Sequence, residues 1–182
     1  FTVGNFNIVL LNATSNSGAT PPPALDQLNA TALTVTNIGS LTQTLIINAS
    51  DVGFAPPATG QPLNLSDSGS VTFTSGSAGD SAALTSYADP NNIFFSTANP
   101  TPASNISWSG NGTVLLPVQT TTFSLGGNPN FSMSNAFVLV LNPGDTVNLS
   151  YTSNVTPEPV SLAIMGLGGG LALLRQRKRL RA

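Results

Sequence analysis

The chain has 182 residues with no histidine and no cysteine, and only 7% of its residues are charged, against about 25% in an average soluble domain. All five basic residues lie in the last eight positions, and the only charged side chains up to Pro157 are six aspartates. These absences exclude Ser-His, Cys-His and Ser-Lys catalysis, tetrahedral zinc sites, and nucleic-acid binding through basic groups. The functions that stay compatible with this composition are catalysis by carboxylates alone, calcium binding and a non-catalytic role.

Short segments in which apolar residues alternate with Thr, Ser or Asn follow one another through the first 155 positions. A period of two is typical of half-buried β-strands, and turn-forming residues separate the segments. We therefore expect one all-β domain over residues 1–153, an antiparallel β-sandwich or jelly-roll-like fold. The predicted strands are 2–11, 32–38, 41–49, 70–75, 93–97, 113–125, 136–141 and 146–153, and residues 24–32 are expected to form one short helical turn.

The segment 136–141 reads Ala-Phe-Val-Leu-Val-Leu, and a strand that is apolar on both faces is predicted to be central and covered. Residues 146–153 alternate, which indicates a half-exposed strand. We expect these two strands to form an antiparallel pair through the turn at 142–145. Its Pro-Gly sequence favours a type II turn, whereas tight hairpins prefer the primed types.

Trp108 and the amide side chains near it are a candidate sugar-stacking site, with a core tryptophan on a strand as the alternative. Asp89, Asn91 and Asp145 lie in oxygen-rich loops and are candidates for calcium, although turn chemistry alone also predicts such residues there. No other cofactor is expected.

Asp67-Ser68-Gly69 has the form of an aspartic-protease loop. Such enzymes need two of these loops to share a proton between two carboxylates, and the sequence contains one. An ordinary Asx turn is therefore favoured, and no catalytic residue is assigned.

The last 26 residues have three parts in fixed order: Pro157-Glu158-Pro159, an uncharged stretch at 160–174, and a basic cluster at 175–182. As a helix the uncharged stretch would be about 22 Å long, which is short for a bilayer core of about 30 Å. Arginines that snorkel to the interface would complete the span and favour the cytoplasmic side, so the body is expected outside. A buried C-terminal helix with a frayed basic end is the alternative. The apolar residues concerned are Val160, Leu162, Ile164, Leu167, Leu171 and Leu174, and the basic ones are Arg175, Arg177, Lys178, Arg179 and Arg181.

This tail resembles that of the PEP-CTERM proteins of Gram-negative bacteria. The resemblance implies that Pro157, Glu158 and Pro159 are a sorting motif, with residues 154–159 as linker and motif, for an exosortase-type processing enzyme. It also implies that 160–174 is a transient inner-membrane anchor, that the basic cluster is its stop, and that cleavage near the motif releases the body or attaches it at the cell surface. Val160 departs from the pattern, because a small or hydroxyl residue is commoner there.

The body, from 39–44 to 86–92, loosely resembles uncharacterised β-rich PEP-CTERM proteins, which brings no activity. The chain starts at Phe1 without a basic n-region, so we expect a mature chain whose signal peptide has been removed.

The sequence thus predicts an exported, non-enzymatic structural protein of the cell surface or the extracellular biofilm matrix. Low charge and exposed strand edges favour association with itself, and a self-assembling filament subunit is the sharper form of this prediction. The alternative is a carbohydrate-binding module that holds exopolysaccharide through Trp108, and a carboxylate hydrolase is a third class. Whether the tail is kept after export stays open, and nucleic acid is excluded as a partner.

Overall fold

The structure is a computed structural model that describes residues 1–9, 12–19, 25–56 and 62–158. Within these ranges the chain forms strands and no helix, and the expected apolar helix at 160–174 and the basic cluster lie outside them. The strands are β1 (Thr2–Val3), β2 (Phe6–Val9), β3 (Asn12–Ser15), β4 (Asp26–Asn37), β5 (Gln43–Phe54), β6 (Leu63–Ser75), β7 (Asp80–Asp89), β8 (Ser104–Trp108), β9 (Gly112–Phe123), β10 (Phe131–Leu141) and β11 (Thr146–Pro157).

The strands form two antiparallel sheets that pack face to face. The seven-stranded sheet has the order β1-β2-β4-β11-β6-β9, and β3 pairs with β4 next to β2. The four-stranded sheet has the order β5-β10-β7-β8. The expected all-β antiparallel sandwich is therefore confirmed.

Alternation along the central strands of each sheet places the core between the sheets. On β11 the odd-numbered residues from 147 to 155 are buried, and on β10 Phe137, Leu139 and Leu141 are buried. Burying each large apolar side chain contributes about 1.5 to 3 kcal/mol. These side chains form a larger cluster around Phe137 and Tyr151 and a smaller one around Phe54 and Phe131.

The expected pairing of β10 with β11 is wrong, because the two strands lie in different sheets. Gly144 has a φ of +81° and donates its N–H to the carbonyl of Asn37 at 2.8 Å, while the N–H of Asn37 donates to the carbonyl of Asp145 at 3.0 Å. The turn is thus fastened to β4 and carries the chain across the core. Phe137 and Tyr151 stack face to face instead, with ring centroids 5.5 Å apart.

Two other local expectations are wrong. Residues 26–32 belong to β4, with Asp26 and Leu28 buried in alternation, and not to a helical turn. Residues 93–97 form an irregular loop between β7 and β8, in which Phe95 has a φ of +53° that a strand does not allow.

The sequence analysis did not predict β3 and β7, and it placed a strand at β8 through the alternative interpretation of Trp108, as a core tryptophan on a strand. The strand β10 is central in its sheet, as expected, and the loop after β7 covers one end of its outer face, where the buried Ser132 donates its hydroxyl to the carbonyl of Ile93 at 2.6 Å. The strand β11 extends through the expected linker to Pro157, and Glu158 donates its N–H to the carbonyl of Pro62 at 3.1 Å.

Candidate functional site

A groove of about 310 Å³ opens at one side of the sandwich, between β3 of the larger sheet and β5 of the smaller one. It arises because β5 is an edge strand, so that the gap between the sheets is not closed by a further strand there. We call it the β3–β5 groove. Its lining is Ala13, Thr14, Ser15, Leu28, Ile47, Asn48, Ala49, Ser50, Asp51, Phe95 and Tyr151.

The carboxylate of Asp51 joins the two walls of this groove. Ser15 and Ser17 donate their hydroxyls to its Oδ2, Ser17 at 2.5 Å, and the N–H of Val52 donates to Oδ1 at 2.8 Å. Burial opposes the charge of Asp51, but these donors outweigh it and lower the pKa of Asp51 below its usual value. The groove therefore holds an ionised hydrogen-bond acceptor at neutral pH.

Phe95 stands at the rim with 61% of its surface exposed. Its backbone lies in the left-handed region, with φ at +53°, a conformation that costs a non-glycine residue of order 1 kcal/mol or more. The hydroxyl of Ser50 holds the loop in place by accepting the N–H of Phe95 at 2.9 Å. Strain of this kind is retained where the surrounding structure fixes a side chain in position, often at a ligand site.

Tyr151 lies at the inner end of the groove. Its hydroxyl is buried and has no hydrogen-bond partner among the described residues, and burial raises the pKa of Tyr151 to about 12. It is therefore a neutral phenol with an unused donor, next to an apolar wall formed by Leu28 and Ile47.

Trp108, the sequence-predicted sugar contact, is remote from this groove, at the end of β8 on the opposite edge of the smaller sheet. Its ring is half-buried and stacks on Phe73, with centroids 6.2 Å apart and planes inclined by 15°. The indole N–H is buried without a partner among the described residues. One face of the ring is thus covered by core and closed to a sugar.

The three sequence-predicted calcium candidates do not converge. Asp89 is the last residue of β7 and accepts the N–H of Asn91 at 2.8 Å. Asp145 lies at the opposite end of the sandwich. The carboxylate that lies near Asp145 in the structure is that of Asp80. Within residues 1–9, 12–19, 25–56 and 62–158, no group of three or more His, Cys, Asp or Glu side chains could hold a metal ion.

Burial raises the pKa of Asp80, and the negative charge of Asp145 adds to that rise. Backbone N–H groups offset part of it, since Asn142 donates to Oδ1 of Asp80 at 2.9 Å and Ser77 to Oδ2 at 3.0 Å. Backbone N–H groups from the turns on either side therefore hold the carboxylate of Asp80 close to Asp145.

A buried polar layer separates the two apolar clusters, and sequence analysis did not predict it. Ser153 and Asp67 are register partners in the larger sheet, and Asn135 and Ser86 are register partners in the smaller one. The hydroxyls of Ser86 and Ser153 lie 2.6 Å apart, Ser153 donates to Oδ1 of Asn135 at 2.6 Å, and Thr101 donates to Oδ2 of Asp67. Asp67 thus lies inside a strand, and the expected Asx turn is wrong.

Burial raises the pKa of Asp67, and the hydroxyl of Thr101 offsets part of the rise. Its Oδ1 and the Nδ2 of Asn135 have no partner within the described ranges. A protease dyad would need a second carboxylate at hydrogen-bond distance, and the groups beside Asp67 are the hydroxyls of Thr101 and Ser86 and backbone N–H groups.

Of the sequence-predicted tail, the structure describes Pro157 at the end of β11 and Glu158 after it, and the rest lies outside the described residues. In the part of the chain that is described, no helix is long and apolar enough to cross a membrane. Nothing in the sequence marks the β3–β5 groove, because Asp51 and Ser15 are 36 positions apart and Phe95 belongs to an apolar run that suggests a strand.

No protein-family model matches the chain, and no curated protein matches it. Among solved structures, it is similar to the carbohydrate-binding module TmCBM61 in complex with β-1,4-galactotriose, with a TM-score of 0.35, 9% identity, and coverage of 81% of this chain and 88% of that one. A carbohydrate-binding module of the β-sandwich superfamily gives a TM-score of 0.35 and 9% identity over 86% of this chain and 56% of the other. The enzymatically active domain of tailspike protein 4 of bacteriophage CBA120 gives a TM-score of 0.26 and 9% identity, with coverage of 81% of this chain and 19% of that one. These TM-scores are too low to support an argument about the function of this chain.

Proposed function

We propose that the chain is a non-catalytic carbohydrate-binding β-sandwich and that the β3–β5 groove holds a neutral glycan. The observation that carries the proposal is the placing of an exposed aromatic ring, Phe95, beside an ionised carboxylate, Asp51, in one concave site. A sugar offers an apolar ring face and a set of hydroxyls, which match these two groups.

The remaining lining supports a neutral glycan over an acidic one. Thr14, Ser15, Asn48 and Ser50 add hydroxyl and amide groups, while the chain has no lysine or arginine before position 175. A carboxylated or sulfated polysaccharide would meet the negative charge of Asp51 with no cation to offset it. The volume of about 310 Å³ is at the lower end of ligand pockets and suits one or two sugar units of a longer chain.

Affinity gel electrophoresis with Phe95→Ala tests the proposal. Gels that contain hydroxyethylcellulose, galactomannan or xylan are compared with gels that contain alginate, which is acidic. We expect at least one neutral polymer to retard the parent protein, no retardation by alginate, and about tenfold weaker binding for Phe95→Ala because a stacking contact is lost.

Phe94→Ala is the matched control, since Phe94 is the neighbouring residue, is 54% exposed and does not line the groove. Trp108→Phe tests the sequence-predicted contact and should bind like the parent. Equal retardation of Phe95→Ala and the parent, or the absence of retardation by every neutral polymer, would contradict the proposal.

We also propose that the chain is exported and that residues 157–182 act as a sorting tail for an exosortase-type enzyme. The support is the sequence pattern together with the resemblance, and the pattern begins where β11 ends. The intact mass of the protein from the cell surface tests this proposal: cleavage near Pro157 is expected, and a chain that still ends at Ala182 would contradict it. The filament expectation gains no support from the fold, and glycan binding replaces it as the leading proposal.

A further inference from the structure

The β3–β5 groove is closed at one end by a segment of chain that crosses from one wall to the other. This segment, residues 15–18, begins at the last residue of β3 in the larger sheet and reaches the end of β5 in the smaller one. Its two serines donate their hydroxyls to the carboxylate of Asp51, and the N–H of Gly18 donates to the carbonyl of Gly53 at 3.2 Å. Hydrogen bonds therefore span the gap between the sheets here, and we call residues 15–18 the end wall.

Asn16 fastens the end wall to the larger sheet. Its N–H donates to the carbonyl of Gln27 at 3.3 Å, and its Oδ1 accepts the N–H of Gln27 at 2.8 Å. Its Nδ2 donates to the carbonyl of Leu25 at 2.7 Å. Each such bond contributes about 0.5 to 1.5 kcal/mol, so the end wall is held by both sheets and is a fixed part of the groove.

The groove extends away from the end wall along β5, from Asp51 towards Ile47. These two residues are four positions apart on an extended strand, which corresponds to about 14 Å. At the far end the groove is bordered by Ala13 and Asn48, both of which are exposed. A glycan that lies along the groove therefore meets the end wall beyond Asp51.

We propose that the β3–β5 groove receives the end of a glycan chain and not an internal stretch of it. The inference rests on the proposed glycan binding and names the part of the glycan that is bound. A chain that stops at the end wall fits a groove of this shape. A chain that continued in both directions would have to pass through the hydrogen bonds between Asp51 and the two serines.

The chemistry at the end wall also favours a terminal sugar unit. Each oxygen of an ionised carboxylate has two lone pairs, and Oδ1 of Asp51 accepts one hydrogen bond, from the N–H of Val52 at 2.8 Å. The last unit of a glycan keeps a hydroxyl where an internal unit has a glycosidic oxygen, and this hydroxyl can donate to Oδ1. A glycosidic oxygen has no proton to donate, so an internal unit would leave two acceptors facing each other.

Titration calorimetry of the full chain with polymers of two lengths tests the inference. Hydroxyethylcellulose and unsubstituted xylan, whose backbones are unbranched, are each used as a long and a short fraction. We expect the number of protein molecules bound per polymer chain to be equal for both lengths, because shortening a chain leaves its two ends. For galactomannan, where every galactose branch adds an end, removal of the branches with an α-galactosidase should lower the number bound per chain.

A number that grows in proportion to chain length in the unbranched polymers, or that debranching of galactomannan leaves unchanged, would overturn this inference and leave glycan binding intact. The absence of binding to all three polymers would instead contradict the proposed function, and the inference with it.

The double variant Asn16→Ala, Ser17→Ala tests the end wall itself. It removes side-chain hydrogen bonds to both sheets, and neither residue lines the groove. Internal stretches should then gain access, so that the number bound per long chain rises above that of the parent. Asn105→Ala is the control, since Asn105 donates to the carbonyl of Ala103 at 3.1 Å on β8, at the opposite edge of the smaller sheet. Thermal unfolding checks that both variants fold, and a folded double variant that binds long chains exactly as the parent does would contradict the role of the end wall.

Discussion

Asp26 places a carboxyl group inside the core, where burial of its charged form is unfavourable. It is fully buried, and neither carboxylate oxygen has a hydrogen-bond partner among the described residues. Its register partner on β11 is Val155, and Leu28 follows it on the same face. Burial therefore penalises the charged form and raises the pKa of Asp26 from 3.8 to about 7.

We predict that Asp26 makes the protein less stable as the pH rises from about 4 to about 7. The folded state holds the proton more tightly than the unfolded state, so its stabilising effect is complete below the unfolded pKa and is lost as the pH approaches the folded pKa. The loss amounts to about 4 kcal/mol. Urea unfolding of the parent and of Asp26→Asn at several pH values measures it, and the amide variant should lack this part of the slope.

Asp51→Asn is the control with the opposite sign. Because the pKa of Asp51 is lowered in the fold, its contribution is present above its usual pKa and is lost on acidification. The variant should therefore lose stability mainly at neutral pH. Identical pH slopes for Asp26→Asn and the parent would show that Asp26 ionises freely in the folded state.

At the scale of elements, Gly69 allows β6 and β11 to approach each other. A Cβ at this position would lie 2.7 Å from the carbonyl oxygen of Ser150 and 3.1 Å from Cδ1 of Leu116. The strand register also shifts close to Gly69. The β6–β9 pair shifts between Asp67 and Gly69, and the β4–β11 pair shifts between Leu149 and Tyr151.

We expect Gly69→Ala to lower the free energy of unfolding by about 1 to 3 kcal/mol, since the added methyl group has backbone on one side and core on the other. Chemical denaturation of the variant measures the loss. Ser70→Ala, at the next and half-buried position, should change stability by less than about 0.5 kcal/mol. A neutral Gly69→Ala would mean that the two strands can separate locally without cost.

The strands that could be predicted from the sequence are those with a clear spacing of apolar residues. Residues 146–153 and 136–141 form parts of β11 and β10, because the spacing of their apolar residues determines which faces become buried. That spacing does not determine which strand pairs with which. Proximity in sequence suggested a β10–β11 hairpin, whereas the backbone hydrogen bonds of Asn37 to the turn send the two strands into opposite sheets.

The candidate site was not predictable for the same reason. Ser15, Asp51 and Phe95 come from three distant segments, and each has an ordinary local explanation in a strand or a turn. Trp108 attracted attention as the single tryptophan, and its stacking on Phe73 depends on the pairing of β7 with β8. The polar layer is hidden in a sequence where Ser and Asn are common at exposed positions too.

On the scale of the whole molecule, most of the acidic side chains are buried. Five of the six aspartates are buried and Asp51 is half-buried, as is Glu158. The described surface is therefore nearly free of charged side chains, and its polarity comes from hydroxyls and amides. Such a surface does little to repel a neutral glycan or a second copy.

This surface leads to a prediction about how the proposed glycan binding responds to salt. Raising NaCl from about 0.1 M to about 1 M shortens the Debye length from about 10 Å to about 3 Å, which weakens contacts between charged partners. A neutral glycan brings no charge to Asp51 in the β3–β5 groove, so the dissociation constant for a neutral oligosaccharide should not rise with salt. Isothermal titration calorimetry at both salt concentrations measures it. Binding that weakens steeply in high salt would instead show that charged groups, such as the basic cluster of the tail, make the contact.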